Sequence, residues 1–336
     1  MKNNKLCTAL VGCGTIAPVH LAALKKLGVS EVVALCDLKA DRAEALRDRY
    51  AEDARVFTDF EQMLKEMPEI DAVHICTPHY LHTPMAITAL EMGKHVFLEK
   101  PVGISEKDIT ALAEAEEKAK GKLCVCFQNR YNDTTEAIDR LAEVYGKPLG
   151  CRAFVNWTRD EAYYTESGWR GAYATEGGGV MINQAIHTLD LMLRYMGKPQ
   201  SLSATTANHH LKGIIEVEDT CEIFLRFAEG GVGNFYATTS YANNASIILE
   251  LAFEGHTVSL IGGKVYDNGE PVALTETAAA TVGKSYWGAG HEGLIGRFYE
   301  AVEKDLPVPV SLTSGALSLS VLLAAYRSHG ETVSMK

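Results

Sequence analysis

The first chemistry this sequence offers lies where an apolar run enters a glycine turn and then a helix. Leu10-Val11-Gly12-Cys13-Gly14-Thr15-Ile16-Ala17 has GxGxxA spacing. Gly12 permits the tight turn, Gly14 lets main chain approach a pyrophosphate, and Ala17 lets the helix pack closely on the strand. Thr15 and Ile16 open that helix, whose first N–H groups have no partner within it and so face an anion. Asp37 ends the next apolar run, 25 residues after Gly12. A carboxylate there binds both hydroxyls of an adenosine ribose and repels a 2′-phosphate, which selects NAD over NADP. Lys39 and Arg42 keep NADP open, and Asp37 is also placed to cap the helix that follows. Thr77-Pro78 and Glu99-Lys100-Pro101 each follow an apolar run. Ligands of open α/β sheets bind beyond the carboxyl ends of strands, so these segments line the same crevice. At the mouth of a nicotinamide site, Lys100 is a candidate for proton transfer or for binding a hydroxyl.

Other residues of catalytic type have less company. His79 and His82 have metal-like spacing without further ligands, and His82 suits a cofactor contact or a helix cap. His291-Glu292 does not continue as HExxH, so no zinc protease is read, and the eight cysteines contain no CxxC pair. The expectation is no metal, no disulfide framework and a reducing cytoplasmic compartment. His209-His210 reads as an exposed strand end. Tyr286-Trp287-Gly288-Ala289-Gly290-His291 puts rings and a donor in a glycine-rich stretch, which suits a sugar, and His291 is taken as a substrate contact.

The elements that must hold these residues follow from patterning. Apolar runs without alternation occur at 8–12, 32–36, 72–76, 96–98 and 123–127, separated mostly by helical spacing at 18–27, 40–50, 83–92 and 106–118. Such runs are strands buried on both faces, and their alternation with helices means a parallel sheet with right-handed crossovers. After Tyr131 the strands alternate and carry hairpin signals such as Glu229-Gly230-Gly231 and Asp267-Asn268-Gly269, which predicts an antiparallel sheet open on one face. Helices return at 184–196, 291–304 and 314–328.

At 336 residues, length suggests about two domains. The expected division is residues 1–127, a Rossmann dinucleotide-binding domain, and 128–336, a substrate-binding and oligomerisation domain. The class is α/β, with an α+β second domain built on a large, mostly antiparallel sheet. Hydrophobic residues at 47% and charged residues at 22% are ordinary for a globular protein. A net charge of −11 repels phosphate backbones and argues against nucleic acid. No apolar run approaches 18 residues, and the start lacks a secretory pattern, so no membrane partner is expected.

Several elements come in one order along the chain. They are Gly12 to Ala17, Cys76-Thr77-Pro78 with His82, Glu99-Lys100-Pro101, Phe127-Gln128-Asn129-Arg130, Trp169-Arg170-Gly171, Gly177-Gly178-Gly179 through Asn183 and His187 to Asp190, and Tyr326-Arg327-Ser328. This ordered set resembles the Gfo/Idh/MocA family of NAD(P)-dependent oxidoreductases across nearly the whole chain. The resemblance implies a cofactor held by Gly12, Gly14, Thr15, Ile16, Asp37, Thr77, Pro78, His82, Glu99, Lys100 and Gln128, and a Lys100–Pro101 peptide that is often cis. It implies a substrate site of Lys100, Trp169, Arg170, Asn183, His187 and His291, and packing of the second domain's sheet against another subunit as a homodimer or homotetramer.

In such proteins an acidic residue and a histidine stand four apart on one helix face. Here they are Asn183 and His187, so an amide replaces the customary aspartate. On its own spacing His187 reads as a buried helix histidine; the resemblance makes it the proton acceptor in oxidation and donor in reduction. Lys100 then polarises the oxygen and shares the proton, and Asn183 positions the substrate. The implied reaction moves hydride between a nicotinamide and a secondary hydroxyl of a sugar, cyclitol or sugar derivative. Redox-neutral cleavage of a glycoside and non-catalytic NAD(P) sensing are the alternatives.

Overall fold

The computed structural model describes residues 5–275 and 288–335, so Tyr286 and Trp287 lie outside the described residues. The described chain forms two compact units. One comprises 5–103, 107–131 and 288–315, the other 104–106, 132–275 and 316–335. Where the sequence suggests one boundary after residue 127, the contacts leave the first unit at Tyr131 and return a later segment to it.

In the first unit, strands β1 (Leu6–Val11), β2 (Ser30–Cys36), β3 (Arg55–Phe57), β4 (Ala72–Ile75), β5 (His95–Glu99) and β6 (Leu123–Cys126) alternate with helices α1 (Ala17–Leu27), α2 (Ala40–Tyr50), α3 (Phe60–Glu66), α4 (His79–Glu91) and α5 (Glu106–Lys118). All pairings are parallel, in the order β3-β2-β1-β4-β5-β6. Strand order reverses between β1 and β4, the switch point where such sheets bind ligands. Every residue of β4 and β6 is buried, which is why those runs lack alternation. β3 and α3, at 3 and 7 residues, are too short to show a period and escape the sequence reading. α4 begins at His79 and carries Pro84 inside, so the helical spacing read at 83–92 starts four residues too late.

Gly12 fixes the approach of β1 to β4. Its φ is +89°, and a side chain there would place Cβ 2.6 Å from the carbonyl carbon and oxygen of Cys76. At Gly14 an added Cβ meets nothing within 4 Å. The turn is therefore closed at its first glycine and open at its second.

The second unit is built on nine strands. They are β7 (Gly150–Asn156), β8 (Ser201–Ala207), β9 (Thr220–Arg226), β10 (Val232–Thr238), β11 (Ile248–Phe253), β12 (His256–Ile261), β13 (Lys264–Asp267), β14 (Glu270–Pro271) and β15 (Val333–Ser334). Their order is β14-β13-β12-β11-β7-β10-β9-β8-β15, antiparallel except for β7 with β10. One face buries Ala153, Val155, Ile223, Leu225, Phe235, Leu249 and Leu251. Helices α6 (Asp133–Tyr145) and α8 (Ile186–Met196) pack on this sheet; α7 (Glu161–Thr165) is a single short turn. Two α-helices remain among the described residues, α9 (Gly290–Glu303) in the first unit and α10 (Leu312–Ser328). α9 packs on α1.

α8 is entered through a π-helical turn, Met181–Ala185, reached from the three glycines at 177–179. Glu218 ties that entry down. It is buried and accepts hydrogen bonds from Gly179 N (2.9 Å), Met181 N (3.1 Å) and the Tyr326 hydroxyl (3.0 Å). Burial pushes its pKa up to about 7 against the lowering effect of those donors.

Gly12→Ala should cost on the order of 3 kcal/mol in denaturant unfolding, from a strained φ plus a backbone clash. Gly14→Ala should unfold within about 1 kcal/mol of the parent. Because folding raises the Glu218 pKa from near 4.5 to about 7, the folded state holds the extra proton in that window. Its contribution is fully present below pH about 4.5 and is lost as pH rises through 7. Glu218→Gln should flatten that segment of a stability–pH curve measured by urea midpoints.

Candidate active site

The switch-point crevice of the first unit has the features of a dinucleotide cradle. Asp37, just past β2, accepts Cys13 N–H at 2.8 Å and Lys39 N–H at 2.9 Å. One carboxylate thus ties the glycine turn to the start of the next crossover. The cap expected for α2 is not a side-chain bond inside the helix, because the Ncap residue is Lys39. The open space at Gly14 admits a phosphate close to main chain. Thr77 Oγ1 and Gln128 Oε1 are buried with no hydrogen-bond partner, at two of the positions expected to meet the cofactor. Orphaned polar atoms of this kind are rare in native structures and fit a bound group that brings its own donors and acceptors. These residues fit NAD. His82 is 1% exposed, with Nδ1 2.6 Å from Pro101 O and Nε2 2.7 Å from Thr77 O. Both nitrogens are engaged by the two segments that line the crevice, so its observed role is to hold them together. The Lys100–Pro101 peptide is cis.

Beneath Lys100 lies a buried network that sequence reasoning missed. Glu99 accepts from His20 Nε2 at 2.9 Å. His20 Nδ1 lies 2.9 Å from His74 Nδ1, His74 Nε2 lies 3.0 Å from the Tyr299 hydroxyl, and Tyr299 lies 2.6 Å from Thr8 Oγ1. The distances allow one donor and one acceptor at every link. Burial opposes ionisation of Glu99. The His20 hydrogen bond and the neighbouring His20, His291 and Lys100 side chains nevertheless hold its pKa well below the usual carboxylate range. Cys126 is buried beside Glu99, and burial first, then the Glu99 charge, raises its thiol pKa. Ligand-type atoms of His20, Glu99, Cys126 and His291 lie within 4.8 Å of one another.

His291 belongs to this network. It is 3% exposed in the first turn of α9, with Nε2 4.0 Å from Glu99 Oε1, and burial lowers its pKa to about 3. The structure thus takes His291 out of the glycine-rich loop to which the sequence assigns it. Arg130 is likewise buried, donating to Ser314 Oγ at 2.7 Å. Its guanidinium serves the packing of the first unit.

In the second unit, burial singles out two residues. From Glu176 to Leu193 every residue is buried except Asn183 and His187. Asn183 sits in the π-helical turn, a form of helix often found at functional sites, and His187 is the second residue of α8. Asp190 is buried and accepts from Ser318 Oγ at 3.2 Å. Asn183 Nδ2 donates to Glu176 Oε1 at 2.6 Å. Arg170 lies 4.4 Å from the Tyr163 ring centre and 4.8 Å from that of Trp169, with Nε buried and unbonded. Tyr163 also accepts from Gln184 Nε2 at 3.0 Å. An aromatic-backed cation beside polar amides can hold a polar, oxygen-rich molecule. No local pattern marks Glu176, since a lone glutamate before glycines reads as solvated.

Comparison with known proteins bears on both units. Residues 6–127 match the sequence model of an oxidoreductase family with an NAD-binding Rossmann fold. Residues 131–260 match the C-terminal domain of the GFO/IDH/MocA group. Over 304 residues the chain is 27% identical to D-glucoside 3-dehydrogenase of Escherichia coli (strain K12), covering 83% of this chain and 84% of the relative. Over 336 residues it is 28% identical to 1,5-anhydro-D-fructose reductase of Ensifer adhaerens, covering 95% of each. Its fold matches the WlbA dehydrogenase from Bordetella pertussis, solved with NADH and UDP-GlcNAcA, with a TM-score of 0.88 and 28% identity over 100% of this chain and 99% of that one. With a dinucleotide cradle in one unit, an amide–histidine pair left unburied in the other, and both family models matched in order, the chain belongs to the GFO/IDH/MocA family of NAD-binding oxidoreductases.

Proposed function

We propose that the protein is an NAD-dependent dehydrogenase or reductase acting on a secondary hydroxyl, or the matching ketone, of a sugar, cyclitol or sugar derivative. The observation that carries this reading is the isolation of Asn183 and His187 as the only residues left unburied between Glu176 and Leu193. NAD is favoured over NADP by the Asp37 carboxylate. When bound, the nicotinamide supplies the hydride acceptor or donor. The chain's own residues handle the proton and the orientation. His187 takes the hydroxyl proton in oxidation and returns it in reduction. Lys100 polarises the reacting oxygen, and Asn183, Trp169 and Arg170 orient the substrate. The same reading assigns cofactor to residues 1–127 and substrate and assembly to 128–336, save that 128–131 and 288–315 pack with the first unit.

Assembly and location follow. The outward face of the nine-stranded sheet carries the half-buried row Tyr236, Phe154 and Ile248 leading to the exposed Ile261 across four neighbouring strands, with Phe224 and Val232 exposed on the same face. We infer a homodimer or homotetramer through this face, because an apolar stripe on an open sheet gains by covering. Eight free cysteines suit the cytoplasm, and no helix among the described residues is long and apolar enough to cross a membrane.

Mixing the protein with NAD and a panel of a D-glucoside, 1,5-anhydro-D-fructose with NADH, and UDP-GlcNAcA should change absorbance in the reduced-nicotinamide band. Lys100→Ala and His187→Ala should each lower kcat by about 10²–10⁴-fold, the usual worth of a proton-transfer group, and unchanged turnover in both would refute the mechanism. Light scattering should give a mass two or four times 36.6 kDa. Phe224→Asp with Ile261→Asp should reduce it.

A further inference from the structure

The amide at 183 has a partner that explains it. Glu176 is 0% exposed, and its two oxygens are spoken for from opposite sides. Oε2 accepts Gly171 N–H at 2.6 Å, and Oε1 accepts Asn183 Nδ2 at 2.6 Å. Tyr163, 3.5 Å from the same Nδ2, also receives Gln184. A carboxylate can only accept, so the bond decides which way the amide faces: Nδ2 toward Glu176, Oδ1 away from it. An aspartate at 183 would bring two carboxylates to hydrogen-bonding distance in a buried site, where like charges cannot both be held.

We propose that Glu176 is a positioning residue for the reaction. Acting through Asn183, it fixes the amide so that Oδ1 is presented to a substrate hydroxyl. It also keeps behind Asn183 the negative charge that relatives of this kind carry at the helix position itself. Charge and contact atom are thus split between two residues. This rests on the proposed function in taking Asn183 to meet the substrate.

The pair makes an unusual demand that a swap can test. In Glu176→Gln the new side chain must turn its oxygen to Gly171 N–H, which sets its NH2 against that of Asn183. The Asn183 amide must then rotate and offer a donor to the substrate where an acceptor is needed. In Asn183→Asp the two carboxylates repel. In the double variant, Gly171 N–H meets the oxygen of the new amide at position 176, and the NH2 of that amide meets the new carboxylate at position 183. Every group is then satisfied again.

The four proteins are compared by kcat/KM on the most active compound of the panel above and, without any substrate, by Tm. Each single substitution should lower kcat/KM at least about 10-fold, and the double variant should exceed either single by a similar factor. The Tm cycle should show the same rescue. Losses that multiply in the double variant overturn the proposal, as does an additive Tm cycle or a pair coupled in Tm whose kcat/KM does not move. If Glu176→Gln fails to fold, Asn183→Asp against the double variant decides alone, because only a direct pairing makes the second substitution beneficial. Absence of turnover by the parent enzyme on every panel compound counts against the proposed function, while the Tm cycle still reports on the pair.

Discussion

A carboxylate removed from water must find donors to replace its hydration, or lose its charge, at a penalty of order several kcal/mol. Glu99, Glu176 and Glu218 are such groups, and the chain around the candidate site is arranged to meet them. Glu99 is met by an imidazole. Glu176 is met by a turn N–H and an amide. Glu218 is met by two main-chain N–H groups at the entry to α8 and by a tyrosine hydroxyl. Glu218 explains why the glycine stretch passes where it does: Gly179, at its end, provides one of the main-chain donors. Among the three, burial prevails over hydrogen bonding at Glu218, whereas partners prevail at Glu99.

What the sequence reveals follows from how far apart the partners stand. The glycine turn and Asp37 are legible because a strand, a turn and a helix start are continuous in the chain, and the distance from Asp37 to the Cys13 amide is bridged by one crossover. The order of alternating runs likewise exposes the parallel sheet. His20, His74 and Tyr299 are illegible, since their links span 54 and 225 residues and each reads alone as a residue of no special spacing. His291 is misplaced for the same reason: the glycines before it suggest an open loop, but α9 starts at Gly290 and buries it. Glu176 shows a third kind of blindness. It lies close to Asn183 in sequence, yet periodicity says nothing about a glutamate that precedes glycines, and only its burial reveals that it is a partner.

The return of residues 288–315 to the first unit has a similar cause. α9 is amphipathic, and its buried residues, Leu294, Ile295, Phe298 and Tyr299, have their counterparts on the parallel-sheet unit. Phe298 packs against Phe97, and Tyr299 completes the histidine chain from Glu99. A hydrophobic stripe announces that a helix must be covered, but not by which sheet.

These placements also sort the histidines by what they can do. A group that accepts a proton during turnover must be able to carry a charge, and burial in a low-dielectric interior opposes that. His74, His82 and His291 are buried, and burial lowers the pKa of each. Their nitrogens lie against Tyr299, main-chain carbonyls or the Glu99 network, which suits orientation rather than exchange. His209 and His210 are exposed, but their main-chain N–H groups are held by Asp219 in a loop after β8. His187 differs from all of these. It is half-buried, follows the glycine stretch, and stands four residues from an amide whose orientation a buried carboxylate fixes. An imidazole so placed is open to solvent on one side and held by enough surrounding structure to be aimed. The same argument accounts for asparagine at 183. With the negative charge at Glu176 already committed to Gly171 and the amide, a second carboxylate would compete for those donors, and the proton chemistry is left to residues outside that constraint.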